Sequence, residues 1–289
     1  MEYFEPKTVS EAVALLAKHG AETKVIAGGT DVMVDIKFKE EPGGLVNIKK
    51  IAGLSGIAEN GAGLRIGALV TIREVESSAL VREKLPVLWE SCHQFASLQV
   101  RNTATIGGNI CRASPSGETL APLLVLDAKA KLTFADGEKT VPFMSFFQGP
   151  GKSSAGINGL LTEIEIPYPA AGSKSVYLKH AVRGAMDIAM VGVAILLTPD
   201  AAKNNAQDVR IGLGAVAPTP VRASKTEALL RGKPLTAALL KEAGALAASE
   251  ASPINDQRSS AENRRWIVEA LTRRGLAQTW KAATGKEVA

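Results

Sequence analysis

Two glycine pairs carry the clearest chemical signal in this sequence. Gly107-Gly108 lies within TATIGGNICRASPSGETLAP, from Thr103 to Pro122, and Gly28-Gly29 lies within KVIAGGTDV, from Lys24 to Val32. Glycine lets the backbone approach a ligand closely and reach positive φ, and successive N–H groups in such a turn form an anion-binding concavity. Two β-strand-like runs that each end in Gly-Gly therefore predict two loops closing on one phosphate-bearing ligand. In a chain with 27 glycines, Gly-Gly pairs also occur in ordinary turns. Spacing alone therefore leaves open whether these pairs bind a ligand or are structural turns.

Polar residues near the glycine pairs suit the same kind of ligand. The Glu118 carboxylate is able to accept hydrogen bonds from ligand hydroxyls or a ring N–H, although a surface or helix-start carboxylate explains it equally well. Asp31 would favour a helix N-terminus by its charge alone. Further candidate contacts are Thr105 and Asn109 as donors and acceptors, and Lys24, Lys179 and Arg183 as cations for a pyrophosphate.

Other familiar catalytic and nucleotide-binding patterns are missing from the sequence. GxGxxG and a phosphate-binding Walker loop are both absent, and Gly151-Lys152-Ser153 fails as the latter because the first glycine would fall on Phe146. We find no candidate Ser/His/Asp triad and no carboxylate pair in surroundings that would raise a pKa. The three histidines are better explained as structural or exposed residues than as catalytic bases. Chemistry carried by a bound cofactor fits this pattern.

The composition indicates a globular protein. The chain has 289 residues, 46% of them hydrophobic and 22% charged, which is enough for two domains. A net charge of +5 without a dense Lys/Arg run, with only 4% aromatic residues, speaks against nucleic-acid binding.

Two cysteines, Cys92 and Cys111, are too few for an iron–sulfur cluster, and no zinc or other metal site is expected. We expect free thiols in a cytoplasmic protein, since the acidic N-terminus is no signal peptide. The longest apolar run, Val191 to Leu197, is too short to span a membrane.

Local patterns predict an α+β chain. Capping boxes begin helices at Thr8 and Thr71, and Pro86 begins a helix that runs to about Ala96. Predicted strands of the first part are Lys24–Ala27, Leu45–Ile48, Gly56–Glu59, Leu64–Gly67, Lys129–Phe134, Lys139–Val141 and Leu160–Ile166, with hairpin turns at Asn60-Gly61 and Asp136-Gly137. Predicted helices of this part start at Asp31 and cover Leu120–Leu126. The second part has predicted strands Val176–His180, Met190–Thr198 and Val209–Ala217, then helices beginning near Ser224, Thr236 and Asn263. The Pro167–Ser173 stretch is the predicted boundary.

Several segments together resemble one family. AGGTD at Ala27–Asp31 and TIGGNICRASPSGET at Thr105–Thr119 look like the FAD-binding flavoprotein of the molybdenum hydroxylases, the xanthine dehydrogenase and carbon monoxide dehydrogenase medium-subunit family. YFEPKTVSEAVALL, LLTEIEIPYP, LKHAVRGAMDIAMVGVA and SAENRRWIVEALTRRGL resemble that family in the same order. The likeness covers essentially the whole chain.

This resemblance implies a fold and a set of contacts. The fold is a two-part FAD-binding domain over 1–172, with a small α/β subdomain at about 1–54 and an antiparallel-sheet subdomain at 55–172. A C-terminal domain with a three-stranded antiparallel sheet and helices follows over 173–289. The implied FAD contacts are Val25, Ile26, Ala27, Gly28, Gly29, Thr30, Asp31, Val32, Phe95, Thr105, Ile106, Gly107, Gly108, Asn109, Glu118, Leu161, Lys179 and Asp187. Glu118 stands where Asp is usual, and Ile188 stands where some carbon-monoxide-oxidising relatives carry an aromatic residue.

The resemblance also implies a role. The chain would be the FAD-binding electron-transfer subunit of a heterotrimer, between a small [2Fe–2S] subunit and an external acceptor such as NAD or a quinone. A large molybdopterin-binding subunit would hold the substrate, and the complex would be a dimer of heterotrimers. Two alternatives stay open: a stand-alone FAD-dependent oxidoreductase, and a nucleotide-binding interaction module without enzymatic activity.

Overall fold

The structure, a computed structural model, describes residues 1–38 and 41–288. Its α-helices are α1 (Val9–His19), α2 (Val32–Phe38), α3 (Ile72–Ser77), α4 (Ala79–Lys84), α5 (Pro86–His93), α6 (Leu98–Arg101), α7 (Ile106–Arg112), α8 (Leu120–Val125), α9 (Phe143–Phe146), α10 (Ser224–Leu230), α11 (Ala237–Glu250) and α12 (Ala261–Thr284). Its strands are β1 (Glu2–Phe4), β2 (Thr23–Ile26), β3 (Gly44–Asn47), β4 (Ile57–Glu59), β5 (Gly63–Gly67), β6 (Lys129–Phe134), β7 (Gly137–Pro142), β8 (Phe147–Gly149), β9 (Lys152–Ser153), β10 (Leu160–Pro167), β11 (Lys174–His180), β12 (Val191–Pro199), β13 (Ala206–Gly214) and β14 (Val221–Arg222).

The described chain divides into two compact units. The first consists of Met1–Ser77, Ser97–Ser114 and Asp127–Pro167, and the second of Ser78–Ala96, Pro115–Leu126 and the chain from Tyr168 onward. Two short segments of the N-terminal half thus belong to the second unit. The linear domain boundaries expected from the sequence stay predictions.

Two sheets build most of the first unit. β1, β3 and β2 form a parallel sheet in that order, and β4, β5, β10, β6 and β7 form an antiparallel one. These are the predicted α/β and antiparallel parts, so the α+β fold class is confirmed. β1 was not predicted, because three residues are too few to show a hydrophobic period.

Local signals positioned the helices of the first unit well. Thr8 caps α1 by accepting from the Glu11 amide at 3.1 Å, while the Glu11 carboxylate accepts from the Lys7 amide at 2.7 Å. Thr71 and Glu74 form the second capping box with reciprocal hydrogen bonds of 3.1 and 2.7 Å. Both helix starts are confirmed, although at α1 the Glu11 carboxylate bonds the amide before the N-cap residue and not that of Thr8.

The second unit is organised around one antiparallel sheet. Its strands lie in the order β11, β12, β13, β14, so the predicted three-stranded sheet is confirmed and a two-residue edge strand extends it. The central strand β12 is almost entirely buried, as expected for a strand covered on both faces. α12 packs on this sheet through a core that includes Val193, Ile195 and Trp280, and α11 packs against α12. Within residues 1–38 and 41–288, no helix combines the length and apolar composition needed to cross a membrane.

Two predicted boundaries are wrong. α5 ends at His93 rather than near Ala96, because Gln94 leaves helical geometry and Ala96 takes φ +38°. Phe95 therefore lies just beyond the helix, not in it. β13 runs three residues earlier than predicted, since it ends at Gly214 and Ala215 takes φ +64°.

Candidate functional site

In the part of the chain that the structure describes, the first glycine pair belongs to a run of backbone donors without protein partners. β2 ends at Ile26, and α2 begins at Val32, one residue later than predicted. Among the described residues, the amides from Gly28 to Val32 donate to no protein acceptor, whereas the next amide, of Met33, bonds the Gly29 carbonyl at 3.0 Å. Gly29 takes φ +75°. Successive free amides beside a left-handed residue are the backbone arrangement that binds anions.

Gly28 packs directly against the segment that precedes the second pair. A Cβ on Gly28 would lie 2.1 Å from the Thr103 carbonyl oxygen and 3.0 Å from the Ala104 Cα. No side chain fits at that distance, so glycine is required there. The contact brings the first glycine loop together with the chain that leads into the second, whereas the closing of both on one ligand stays a prediction.

The second glycine pair does not follow a strand. Thr105 caps α7, and Gly107 and Gly108 lie in the first turn of that helix. The amides of Ile106 and Gly107 bond the Val70 and Ala68 carbonyls at 2.9 and 3.0 Å. The Gly108 amide bonds Thr105 Oγ1 at 3.0 Å. These amides are therefore already satisfied, and the prediction of a second strand–loop with free anion-binding donors is wrong.

The two glycines of α7 differ in their surroundings. A Cβ on Gly107 would lie 2.6 Å from the Ala68 carbonyl oxygen, so this residue lets α7 pack tightly on the chain after β5. A Cβ on exposed Gly108 would meet only Thr105 Oγ1, at 2.9 Å. Gly108 thus leaves the outer surface of the first turn bare, with room for a ligand to approach the backbone.

An ion pair joins the helices that follow the two glycine pairs. The Arg112 guanidinium at the end of α7 donates to both oxygens of Asp35 in α2, at 2.5 and 3.3 Å. Its Nε lies 3.5 Å from the Asp31 carboxylate. The hydrogen bond from Arg112 to Asp35 is the main reason that the pKa of the guanidinium is raised further above its ordinary value. Sequence reasoning missed this ion pair, since 77 positions separate Arg112 from Asp35.

The other predicted contacts of the first unit occupy the strands beneath these loops. Val25 and Ile26 pair with Val46 and Asn47 in the parallel sheet. Leu161 is buried in β10 opposite Leu132, next to a register shift. Of the remaining predicted residues, Ala27, Thr30 and Asp31 belong to the first loop, and Asn109 follows Gly108 in α7, its amide bonding the Thr105 carbonyl at 3.0 Å.

In the second unit, Lys179 and Glu118 form a buried ion pair. Each side chain is only 8% exposed, which excludes the surface-carboxylate explanation of Glu118. Lys179 Nζ also donates to the Gln94 carbonyl at 3.0 Å and the Asp187 carbonyl at 2.7 Å. Sequence reasoning named three of these residues as separate cofactor contacts; the structure brings them together around one ammonium.

Asp187 closes a short loop in the same unit. Its carboxylate accepts from the amides of Arg183 and Ile188 at 2.9 and 2.8 Å. The hydrogen bond from the Arg183 amide is the main reason that the pKa of Asp187 is lowered. Phe95 is buried in this unit, directly after α5.

Comparison with known proteins identifies the chain's relatives. Residues 1–169 match the FAD binding domain in molybdopterin dehydrogenase, and residues 176–279 match the CO dehydrogenase flavoprotein C-terminal domain. The chain belongs to the FAD-binding medium-subunit family of the molybdenum hydroxylases.

Individual relatives match along their whole length. The xanthine dehydrogenase FAD-binding subunit of Escherichia coli O157:H7 is 32% identical over 288 residues, covering 98% of this chain and 97% of the relative. The carbon monoxide dehydrogenase medium chain of Hydrogenophaga pseudoflava is 33% identical over 280 residues, covering 96% of each. A solved structure of carbon monoxide dehydrogenase from that organism superposes with a TM-score of 0.95, at 33% identity and 98% coverage of both chains.

Membership identifies the chain as a flavoprotein component of an oxidoreductase whose cofactor is FAD. The first unit fits this cofactor, because free amides from Gly28 to Val32 suit a pyrophosphate and Gly108 leaves backbone accessible. The described residues contain no group of three or more His, Cys, Asp or Glu that could hold a metal ion.

Proposed function

We propose that this chain is the FAD-binding electron-transfer subunit of a heterotrimeric molybdenum hydroxylase. It takes electrons from a [2Fe–2S] subunit and passes them through FAD to an external acceptor, such as NAD or a quinone. The observation that carries the proposal is the run of amides from Gly28 to Val32 that have no acceptor among residues 1–38 and 41–288, in a loop packed through Gly28 against the chain entering α7.

The chain's own residues have distinct roles in this proposal. The amides of Gly28 to Val32 bind the pyrophosphate, and Gly108 allows the cofactor to approach α7. The remaining residues predicted from the resemblance, including Leu161 in the first unit and Phe95 and Lys179 in the second, stay proposed contacts. When bound, FAD supplies the capacity to accept and release electrons. In this proposal, no acid–base side chain is needed to pass those electrons to the external acceptor.

Partner chains follow from what this chain lacks. Its two cysteines cannot ligate an iron–sulfur cluster, which needs about four ligands, so the [2Fe–2S] cluster of this proposal would lie on another subunit. We propose a small [2Fe–2S] subunit and a large molybdopterin-binding subunit as partners, assembled as a dimer of heterotrimers. The names of relatives support this, since several are medium chains or FAD-binding subunits. Relatives named for xanthine and for carbon monoxide are almost equally similar, so those names select no substrate.

The test begins with the purified chain. Its absorbance spectrum is recorded, FAD is identified after denaturation, and protein without flavin is titrated with FAD. The variant Gly108→Val places a branched side chain on the bare surface of α7 and should reduce flavin content at least tenfold. The control Ala238→Val puts the same side chain at an exposed first-turn position of α11, which also has a threonine cap, and should leave flavin content unchanged.

Each outcome has a definite meaning. Bound FAD in the parent chain and its loss in Gly108→Val would support the proposed site. A parent chain that neither contains nor takes up FAD would refute the proposal. Substrate oxidation by this chain alone, without a molybdopterin subunit, would instead support a stand-alone oxidoreductase.

A further inference from the structure

The Lys179 ammonium connects separate segments of the second unit. From the end of β11, it donates to the Glu118 carboxylate just before α8, to the Gln94 carbonyl just after α5, and to the Asp187 carbonyl. An ammonium has three N–H donors, and all three are used here. Lys179 therefore has no donor left for a ligand phosphate unless it gives up one of these bonds.

The loop from Ala181 to Ile188 makes little use of apolar burial. Val182 is 67% exposed, Met186 60% and Ile188 47%. The bonds of the Asp187 carboxylate to Arg183 and Ile188, and of the Arg183 guanidinium to the Met186 carbonyl at 2.7 Å, close the loop on itself. They do not attach it to its surroundings. The bond from Lys179 to the Asp187 carbonyl does attach the loop to the rest of the unit, because Lys179 is also bonded to two further segments.

We propose that the Lys179–Glu118 pair is a buried latch that fixes the position of the 181–188 loop. Lys179 is a positioning residue: its bond to the Asp187 carbonyl anchors the loop, and Glu118 and Gln94 hold the ammonium in place. Glu118 also supplies the negative charge without which a lysine only 8% exposed would be costly to bury. The latch operates in the chain whether or not FAD is bound.

Three variants separate anchoring from charge burial. Lys179→Met keeps the length of the side chain and removes the donors, but it leaves the Glu118 carboxylate without its cation. The double variant Lys179→Met/Glu118→Gln removes both charges, so it avoids an uncompensated buried charge. Lys174→Met is the matched control, since Lys174 is an exposed lysine at the other end of β11.

The measurement is hydrogen exchange of the 181–190 peptide in the full chain, with and without FAD, together with the rate of trypsin cleavage after Arg183. Loss of one hydrogen bond from a charged donor should raise the exchange rate and the cleavage rate by roughly tenfold or more. We expect this in Lys179→Met and in the double variant, and no change in Lys174→Met. Exchange in peptides of β12 reports whether the unit as a whole stays folded.

Two results would overturn the latch. One is normal protection of the loop in the double variant. The other is normal loop protection in both Lys179 variants together with loss of FAD, which would leave Lys179 with its proposed cofactor contact and no part in holding the loop. Neither readout in the FAD-free chain depends on the proposed electron-transfer function, so the latch and that function can fail separately.

Discussion

Replacing Gly28 by alanine tests whether the two glycine-bearing segments are in contact. Gly28 has no positive φ, so the backbone itself tolerates alanine. The new Cβ would lie 2.1 Å from the Thr103 carbonyl oxygen, whereas ordinary contact begins near 3.4 Å. The two backbones would have to separate by about 1.3 Å, because neither obstacle is a flexible side chain.

The expected cost can be compared with that of the neighbouring glycine. Overpacking costs about 1–3 kcal/mol, and an obstacle made of backbone puts Gly28→Ala at the upper end, about 3 kcal/mol. Gly29 has a positive φ, so an alanine there incurs about 1–2 kcal/mol of backbone strain. Its nearest new contact is the end of the Ile26 side chain at 3.3 Å, which can shift. We therefore expect Gly28→Ala to be the more destabilising variant.

Hydrogen exchange resolved by peptide is the appropriate assay. Peptides from β2 and α7 should lose protection corresponding to about 3 kcal/mol in Gly28→Ala and about 1–2 kcal/mol in Gly29→Ala. FAD affinity should also fall in Gly28→Ala, because the loop is displaced from α7. Equal protection in Gly28→Ala and the parent chain, or the reverse order of the two variants, would refute the packing argument.

Two further predictions concern the second unit. Burial raises the pKa of Glu90, whose carboxylate accepts from the Tyr177 amide at 2.6 Å. The folded state therefore binds the proton of the Glu90 carboxyl group more tightly than the unfolded state does. The free energy of unfolding should fall as pH rises from about 4.5 through the folded pKa. Glu90→Gln should flatten that fall, measured by urea titrations at several pH values. The Glu250 carboxylate accepts from the amides of Lys225 and Thr226 at 2.9 and 3.0 Å, where α10 lacks a side-chain cap. Glu250→Ala should cost about 1–2 kcal/mol in urea denaturation; an unchanged midpoint would show that α10 needs no cap from α11.

Local chemistry explains which parts of the fold were predictable. The capping boxes at Thr8 and Thr71 involve residues within one helical turn, and the β4–β5 and β6–β7 hairpins were indicated by Asn-Gly and Asp-Gly turns. Such signals are complete within a short window of sequence. The end of α5 was missed because no glycine or proline marks it, and Ala96 takes its positive φ without a sequence signal.

Contacts between distant residues were not predictable in the same way. The Arg112–Asp35 pair joins positions 77 apart, and Lys179 and Glu118 are 61 apart. A sequence shows that such residues are present, but only the fold shows which of them meet. Resemblance named Lys179 and Glu118 as cofactor contacts, and only the structure showed that they bond each other.

The two glycine pairs show how the same dipeptide can serve different purposes. In the first pair, Gly28 permits a close backbone contact and Gly29 turns the chain, so the following amides stay free for an anion. In the second pair, the first amides of α7 are already bonded to the chain after β5 and to Thr105, and the glycines serve to pack α7 against Ala68 and to leave its outer surface bare. The anion-binding donors of this unit are therefore concentrated in the first loop. α7 contributes shape, and its exposed glycine determines how closely a cofactor can approach.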